Sequence, residues 1–244
     1  ERAIEEVVRA TAWNMAVALD LGTDRALAEV REALEAEIEE NRAWLVDLLS
    51  LLYDPGAIAV VKESLASGSS RSTVYALEIL DLLLAEGLKP LVFPLLEDQT
   101  YGQTLKRLEA FVPRQRMAPQ EALGAIANRE FDRIGLWTRV VAIETLGKVA
   151  PGVARDLVAS LFHPSPMVQE VAALGIVARD RAAWEAHRTR LGFEVRDRLD
   201  AVVGRAGEED LSSSRSVFGR TRLLRSVPAF SKLPAEALVA LADS

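Results

Sequence analysis

The chain offers few side chains of the kinds that perform catalysis or bind metal ions. Its 244 residues include two histidines, His163 and His187, and no cysteine. Thiolate chemistry and cysteine-based metal sites are therefore excluded, and the two histidines lack the i, i+4 spacing of a helical zinc pair. His163 precedes Pro164 in a polar turn and His187 lies in a charged stretch, so we interpret both as structural or solvent-facing residues.

Motifs for phosphate binding and nucleophilic catalysis are also missing. The sequence contains no Gly-x-Gly-x-x-Gly, Gly-Lys-Ser/Thr or Gly-x-Ser-x-Gly motif. The stretch Gly68-Ser69-Ser70-Arg71 could coordinate an anion through the free N–H groups at a helix start, but it is more typical of a plain capping turn, which we favour. We therefore predict no catalytic, cofactor-binding or metal site and no enzymatic activity.

The composition indicates a helical protein. Half of the residues (50%) are hydrophobic but only 6% are aromatic, and Ala, Leu and Val dominate, as in closely packed helices. The net charge of −7 disfavours nucleic acid as a partner. No apolar run reaches the roughly 18 residues of a membrane span. The nearest candidate, residues 43–53, is interrupted by Asp47 and Ser50. The first residue is Glu1 instead of Met, so we expect a soluble piece of a longer protein.

Apolar spacing predicts many helices. The first runs from Glu1 to about Leu19 with apolar residues three or four positions apart. A second runs from about Arg25 through an acidic stretch, which we interpret as a solvated face, to Tyr53 before Asp54-Pro55-Gly56. Short helices then alternate with polar or Pro/Gly breaks. The tryptophans are predicted to lie in the core: Trp13, Trp44, Trp137 and Trp184.

An internal repeat is the most informative pattern. Residues 74–96 align without a gap on residues 140–162, at an offset of 66, with seven identities in 23 positions. A second, weaker similarity relates Ala142 and Leu146 to Ala172 and Ile176, at an offset of 30. The small residue at one position lets neighbouring helices approach, and the larger residue one turn later fills the gap. These repeat-packing positions are Ala76, Leu80, Ala142, Leu146, Ala172 and Ile176. The repeat predicts an all-α fold, an α-solenoid of antiparallel helix pairs.

Two stretches resemble HEAT repeats, which belong to the armadillo-like helical folds. Residues 137–147 read Trp-Thr-Arg-Val-Val-Ala-Ile-Glu-Thr-Leu-Gly, with Arg139 and Gly147 at the places expected in HEAT; residues 157–175 are a more divergent copy in which Gln169 replaces the arginine. We accordingly predict N-terminal helices in 1–54, HEAT-like repeats in 55–206, a linker in 207–219, and a different, truncated domain in 220–244.

That last segment resembles the opening helices of cyclic-nucleotide-binding domains. Residues 223–242 contain Leu-Arg-x-x-Pro-x-Phe, Leu-Pro and an acidic helix with Leu-x-x-Leu-Ala. HEAT repeats before such a domain resemble a bacterial family that adds a membrane domain similar to ATP/ADP carriers of the nucleotide-transporter type. The resemblance implies a non-catalytic scaffold on the cytoplasmic face of the membrane. It would couple a transporter-like domain to a cyclic-nucleotide sensor, with other domains of the same polypeptide as its partners.

One basic cluster is a candidate interaction patch: Arg215, Arg220, Arg222, Arg225 and Lys232. It suits an anionic membrane surface or an acidic partner, and the acidic part of the chain itself is an equally good partner. Two alternative functions stay open. One is a free-standing solenoid that binds proteins or peptides. The other is a lyase-type HEAT enzyme acting on a bound chromophore, which the shortage of catalytic residues disfavours.

Overall fold

The structure, a computed structural model, describes residues 1–206, 217–230, 233 and 235–243. All regular structure in these residues is helical, so the all-α prediction is confirmed. The α-helices are α1 Arg2–Asp20, α2 Ala28–Ser50, α3 Pro55–Ala66, α4 Ser70–Leu83, α5 Lys89–Leu96, α6 Tyr101–Leu108, α7 Pro119–Ala127, α8 Leu136–Val149, α9 Arg155–Ser160, α10 Pro166–Arg179, α11 Arg181–Arg188, α12 Phe193–Ala206, α13 Val217–Ser226 and α14 Ala235–Asp243. A 3-10 turn, Arg25–Leu27, precedes α2.

The chain divides into two compact units. The first comprises residues Glu1–Asp24 and Arg31–Ala118, and the second comprises Arg25–Val30 and Pro119–Ser244. Helix α2 therefore starts in the second unit and belongs to the first from Arg31 onward. Sequence periodicity could not reveal this division because α2 is one uninterrupted helix across the boundary.

The core of the first unit is formed by the apolar stripes of α1 to α6. In α1 the residues Ile4, Val8, Ala12 and Met15 are buried, a spacing that places them on one helical face. Local signals fix the helix starts. Asp54 accepts a hydrogen bond from the backbone N–H of Ala57 at the start of α3, and Thr100 and Gln103 form a capping box at the start of α6.

The second unit is organised around α8 and α10. Helix α10 packs against α8, α9, α11 and α12, and α8 also packs against α7. The buried residues of α8 include seven in succession, Trp137 to Ile143, so this helix is enclosed on most of its faces. Arg139 is also buried, and its guanidinium donates to the carbonyl oxygens of Ala127 (2.7 Å) and Arg129 (2.7 Å). It thereby satisfies backbone groups at the C-terminal end of α7.

The helix bounds reproduce the offsets seen in the sequence. Helices α4, α8 and α10 all have 14 residues and begin at Ser70, Leu136 and Pro166, which are separated by 66 and 30 positions. The six repeat-packing residues, Ala76, Leu80, Ala142, Leu146, Ala172 and Ile176, are each 0% exposed. The superhelical stacking of a complete α-solenoid, and the domain boundaries drawn from sequence, stay predictions.

The prediction that all four tryptophans lie in the core is wrong for Trp44, which is 54% exposed. Its neighbours Leu45 and Leu49 face the core of the first unit, and one residue along a helix turns a side chain by about 100°. Trp44 therefore points away from the stripe that is buried. Trp137 and Trp184 are buried.

Candidate functional site

The two histidines lie in separate surroundings. His163 occupies the turn between α9 and α10, where its Nδ1 accepts a hydrogen bond from the backbone N–H of Ser165 at 3.0 Å and its ring stacks on Phe131 with 6.2 Å between centroids. Burial, and then the charge of Arg139, lower the pKa of His163. His187 is half-buried on α11. Among the described residues, no group of three or more His, Cys, Asp or Glu side chains is arranged to hold a metal ion.

The stretch Gly68-Ser69-Ser70-Arg71 forms a capping turn. The Ser69 hydroxyl accepts from the backbone N–H of Ser72 at 3.1 Å, and Gly68 has a φ of 67°, a left-handed conformation that glycine adopts without strain. The hydroxyl therefore satisfies one of the free donors at the start of α4. The prediction of a capping turn is confirmed at this position.

The most elaborate polar and aromatic contact is the one that holds α13 within the second unit. The indole of Trp137 on α8 stacks on the ring of Phe218 on α13, with 5.8 Å between centroids and 25° between planes. The guanidinium of Arg225 lies over Trp137, 4.9 Å from the ring centroid. We call this contact the α13 docking site; it consists of Glu29, Trp137 and Glu144 on one side and Phe218, Arg222 and Arg225 on the other.

Arg222 is the central residue of the α13 docking site. Its guanidinium donates to Glu144 of α8 at 2.9 Å and to Glu29 in the first turn of α2, and it lies 5.2 Å from the centroid of the Phe218 ring. Burial acts to lower the pKa of Arg222, but the carboxylates of Glu144 and Glu29 outweigh it, and the pKa is raised. A cation shared by two carboxylates from separate elements fixes both position and orientation.

The local sequence explains why these groups converge. Phe218 and Arg222 are four residues apart on α13, and Trp137 and Glu144 are seven apart on α8. Each spacing places an aromatic ring and a charged group on one face of its helix. The predicted patch contained Arg222 and Arg225 but none of their partners, although these spacings are visible in the sequence.

The remaining three residues of the predicted basic patch do not take part in the α13 docking site as the structure describes it. Arg220 is half-buried, and its Nε atom is buried without a hydrogen-bond acceptor among the described residues. Arg215 and Lys232 lie outside the described residues, as does most of the predicted linker, of which residues 217–219 belong to α13. Arg222 thus has acidic partners within its own chain, one of the alternatives that the sequence left open.

No described helix has the length and apolar character needed to cross a membrane.

Comparison with protein-family models, with curated proteins and with solved structures gives no match for this chain. The resemblances to HEAT repeats and to cyclic-nucleotide-binding helices therefore stay predictions.

Proposed function

We propose that this chain is a non-catalytic helical scaffold that holds its C-terminal helix pair, α13 and α14, against the repeat-like helices of the second unit. The observation that carries the proposal is the shared ion pair of Arg222 with Glu144 and Glu29. It links α13 to α8 and to the first turn of α2.

The packing around the ion pair supports this role. Helix α13 packs on α14 and on α10, while α14 also contacts α8. Any displacement of α13 therefore acts on the two helices that form the centre of the second unit. Such a contact is suited to couple a following domain to the repeat-like helices, because a change that favours one arrangement of α13 shifts the equilibrium of the helices that hold it.

The sequence resemblance supplies the finer proposal. The parent protein would have an ATP/ADP-carrier-like membrane domain before this segment and a cyclic-nucleotide-binding domain after it, and the segment would couple the two at the cytoplasmic face of the membrane. The native reading frame should then encode hydrophobic spans upstream and a β-roll downstream. Transport by the intact protein, measured with and without cyclic nucleotide, tests the coupling; equal transport in both conditions would remove the regulatory claim.

Hydrogen exchange of the 244-residue chain tests the docking itself. Replacing Arg222 by Gln removes the charge-assisted hydrogen bonds and the ring contact, together about 2 kcal/mol. Local opening of α13 should rise roughly 30-fold, since about 1.4 kcal/mol corresponds to tenfold. The matched control is Arg196→Gln, because Arg196 also lies over an aromatic ring, that of the exposed Phe193.

The control variant should leave exchange in residues 217–226 unchanged. If Arg222→Gln also left it unchanged, α13 would not be held by the ion pair and the proposal would lose its basis. The alternative of a free-standing binding solenoid predicts a short native reading frame and the enrichment of one soluble partner when this chain is used as bait.

A further inference from the structure

The first unit contains a groove that the proposed function does not use. It lies between α2, α3, α5 and the start of α4 and encloses about 510 Å³, within the roughly 300–1,000 Å³ of typical binding cavities. We call it the α2–α5 groove. The apolar side chains of its lining differ in exposure. Ala43 and Ala66 are exposed and Leu65 is half-buried, whereas three others form a buried floor: Val46, Leu95 and Leu96.

The charged side chains around the α2–α5 groove favour a cationic partner. The acidic ones are Glu39, Glu97 and Asp98. The two basic ones are already engaged by carboxylates: Arg42 with Glu39 at 2.6 Å and Lys62 with Asp47 at 2.7 Å. Glu97 pairs with Arg107, whereas Asp98 is exposed.

Two wider features strengthen the negative potential. Helices α3 and α5 end at the groove, with Ala66 and Leu96 in its lining, so it receives the partial negative charge of two helix C-termini. The N-terminus of α4, whose partial positive charge would counteract the two C-termini, is capped by Ser69.

The charge of the whole chain is concentrated in this unit. Residues 1–24 and 31–118 contain 19 acidic and 11 basic side chains, a net charge of −8, whereas the second unit contains 17 acidic and 18 basic ones, a net charge of +1. A cationic partner is therefore attracted to the first unit over distances comparable to the Debye length, about 8–10 Å at physiological salt.

We propose that the α2–α5 groove binds a basic amphipathic helix of a partner protein. The apolar face of that helix would pack on Ala43, Leu65 and Ala66, and its Lys or Arg residues would face Asp98 and the carboxylates of α2. A helix is the favoured occupant because the described residues have no strand edge to which an extended peptide could be added, and an apolar groove accepts side chains at i, i+3 and i+4 spacing. This site is independent of the α13 docking site.

A designed peptide tests the proposal directly. The probe is a fluorescent 18-residue helix with leucines on one face and lysines on the other, compared with a scrambled peptide of the same composition and with a glutamate version. Fluorescence anisotropy with the 244-residue chain should show saturable binding of the amphipathic lysine peptide that weakens as salt rises. The scrambled and glutamate peptides should bind at least tenfold more weakly.

Matched substitutions localise the binding. Ala43→Lys and Asp98→Lys place a positive charge at the α2–α5 groove, and each should weaken binding about fivefold to tenfold. The controls are Ala3→Lys and Glu109→Lys, which make the same changes in charge at exposed positions outside its lining. They should change affinity less than about twofold, because an exposed charge that does not contact the peptide is screened by salt. Circular dichroism of all four variants checks that each is folded.

Several outcomes would overturn the proposal. They are an absence of saturable binding, equal binding of the scrambled peptide, equal effects of the controls and the groove variants, or photo-crosslinks from the peptide to the second unit. Sedimentation without peptide adds one more: self-association that Ala43→Lys abolishes would assign the groove to a second copy of the chain.

Discussion

The close approach of α8 and α10 can be tested by adding a single methyl group. An ideal Cβ at Gly147 would lie 3.0 Å from the Cα atom of Gly175, whereas carbon atoms in contact are ordinarily about 3.5–4.0 Å apart. The Gly147→Ala substitution therefore requires the two helices to separate by a few tenths of an ångström. The obstructing atom belongs to the backbone, so no change of rotamer can relieve the contact.

The expected loss of stability follows from two opposing contributions. Overpacking lowers the folding stability by about 1–3 kcal/mol. Because the obstructing atom belongs to the backbone, we expect a loss near the upper end, about 3 kcal/mol. The better helix propensity of alanine offsets about 1 kcal/mol of this loss. The net loss is about 2 kcal/mol, or a decrease in Tm of about 8 °C at roughly 4 °C per kcal/mol for a unit of this size.

The matched control for this experiment is Gly204→Ala. A Cβ at Gly204 on α12 would meet no atom within 4 Å, so only the gain in helix propensity remains and the variant should be more stable by up to about 1 kcal/mol. Thermal unfolding followed by circular dichroism measures both variants. If Gly147→Ala were as stable as Gly204→Ala, the two helices would not pack backbone to backbone, and the reasoning would be refuted.

Two further predictions concern charged groups. Arg114→Ala should cost about 2–3 kcal/mol in urea unfolding. Arg114 pairs at 2.5 Å with Asp20, whose side chain is only 5% exposed, and without it the buried carboxylate would lose its cationic partner and keep the backbone N–H of Met117. The control Arg2→Ala breaks an exposed pair and should change stability by less than about 0.5 kcal/mol. Equal losses in the two variants would contradict the reasoning. The lowered pKa of His163 means that the unfolded chain takes up a proton at higher pH than the folded chain, so stability is fully present above about pH 6.5 and declines as the pH falls below it. His163→Asn should reduce the difference in unfolding free energy between pH 7.5 and pH 5.5, whereas an effect no larger than that of His187→Asn would show that His163 is not responsible.

The positions of the helices and the face that each one buries are predictable from local signals in the sequence. Ala-rich and Leu-rich periodicity, together with breaks at Pro, Gly and Ser, gave helices α1 to α10 within a few residues, because these signals act over one or two turns. The offsets of 66 and 30 reappear in the starts of α4, α8 and α10. A helix pattern repeated in sequence buries the same positions, and all six predicted packing residues are buried.

The basic patch was only partly predictable. Arginines cluster near the C-terminal end of the sequence, and this clustering identified Arg222 and Arg225. Their partners are remote: Glu29 lies 193 positions from Arg222 and Glu144 lies 78 positions from it. An isolated sequence does not specify which of many carboxylates a cation will meet, since that depends on how the helices pack.

The remaining features depend on how the helices pack and could not be predicted from the sequence. The exposure of Trp44, the division of α2 between two units and the close approach of Gly147 to Gly175 all depend on which faces meet. Periodicity shows that a helix has an apolar face, but the choice of neighbour is set by close packing among several helices at once. The sequence thus determined what each helix buries, and the packing decided against which helix it is buried and which groups are left at the surface to bind.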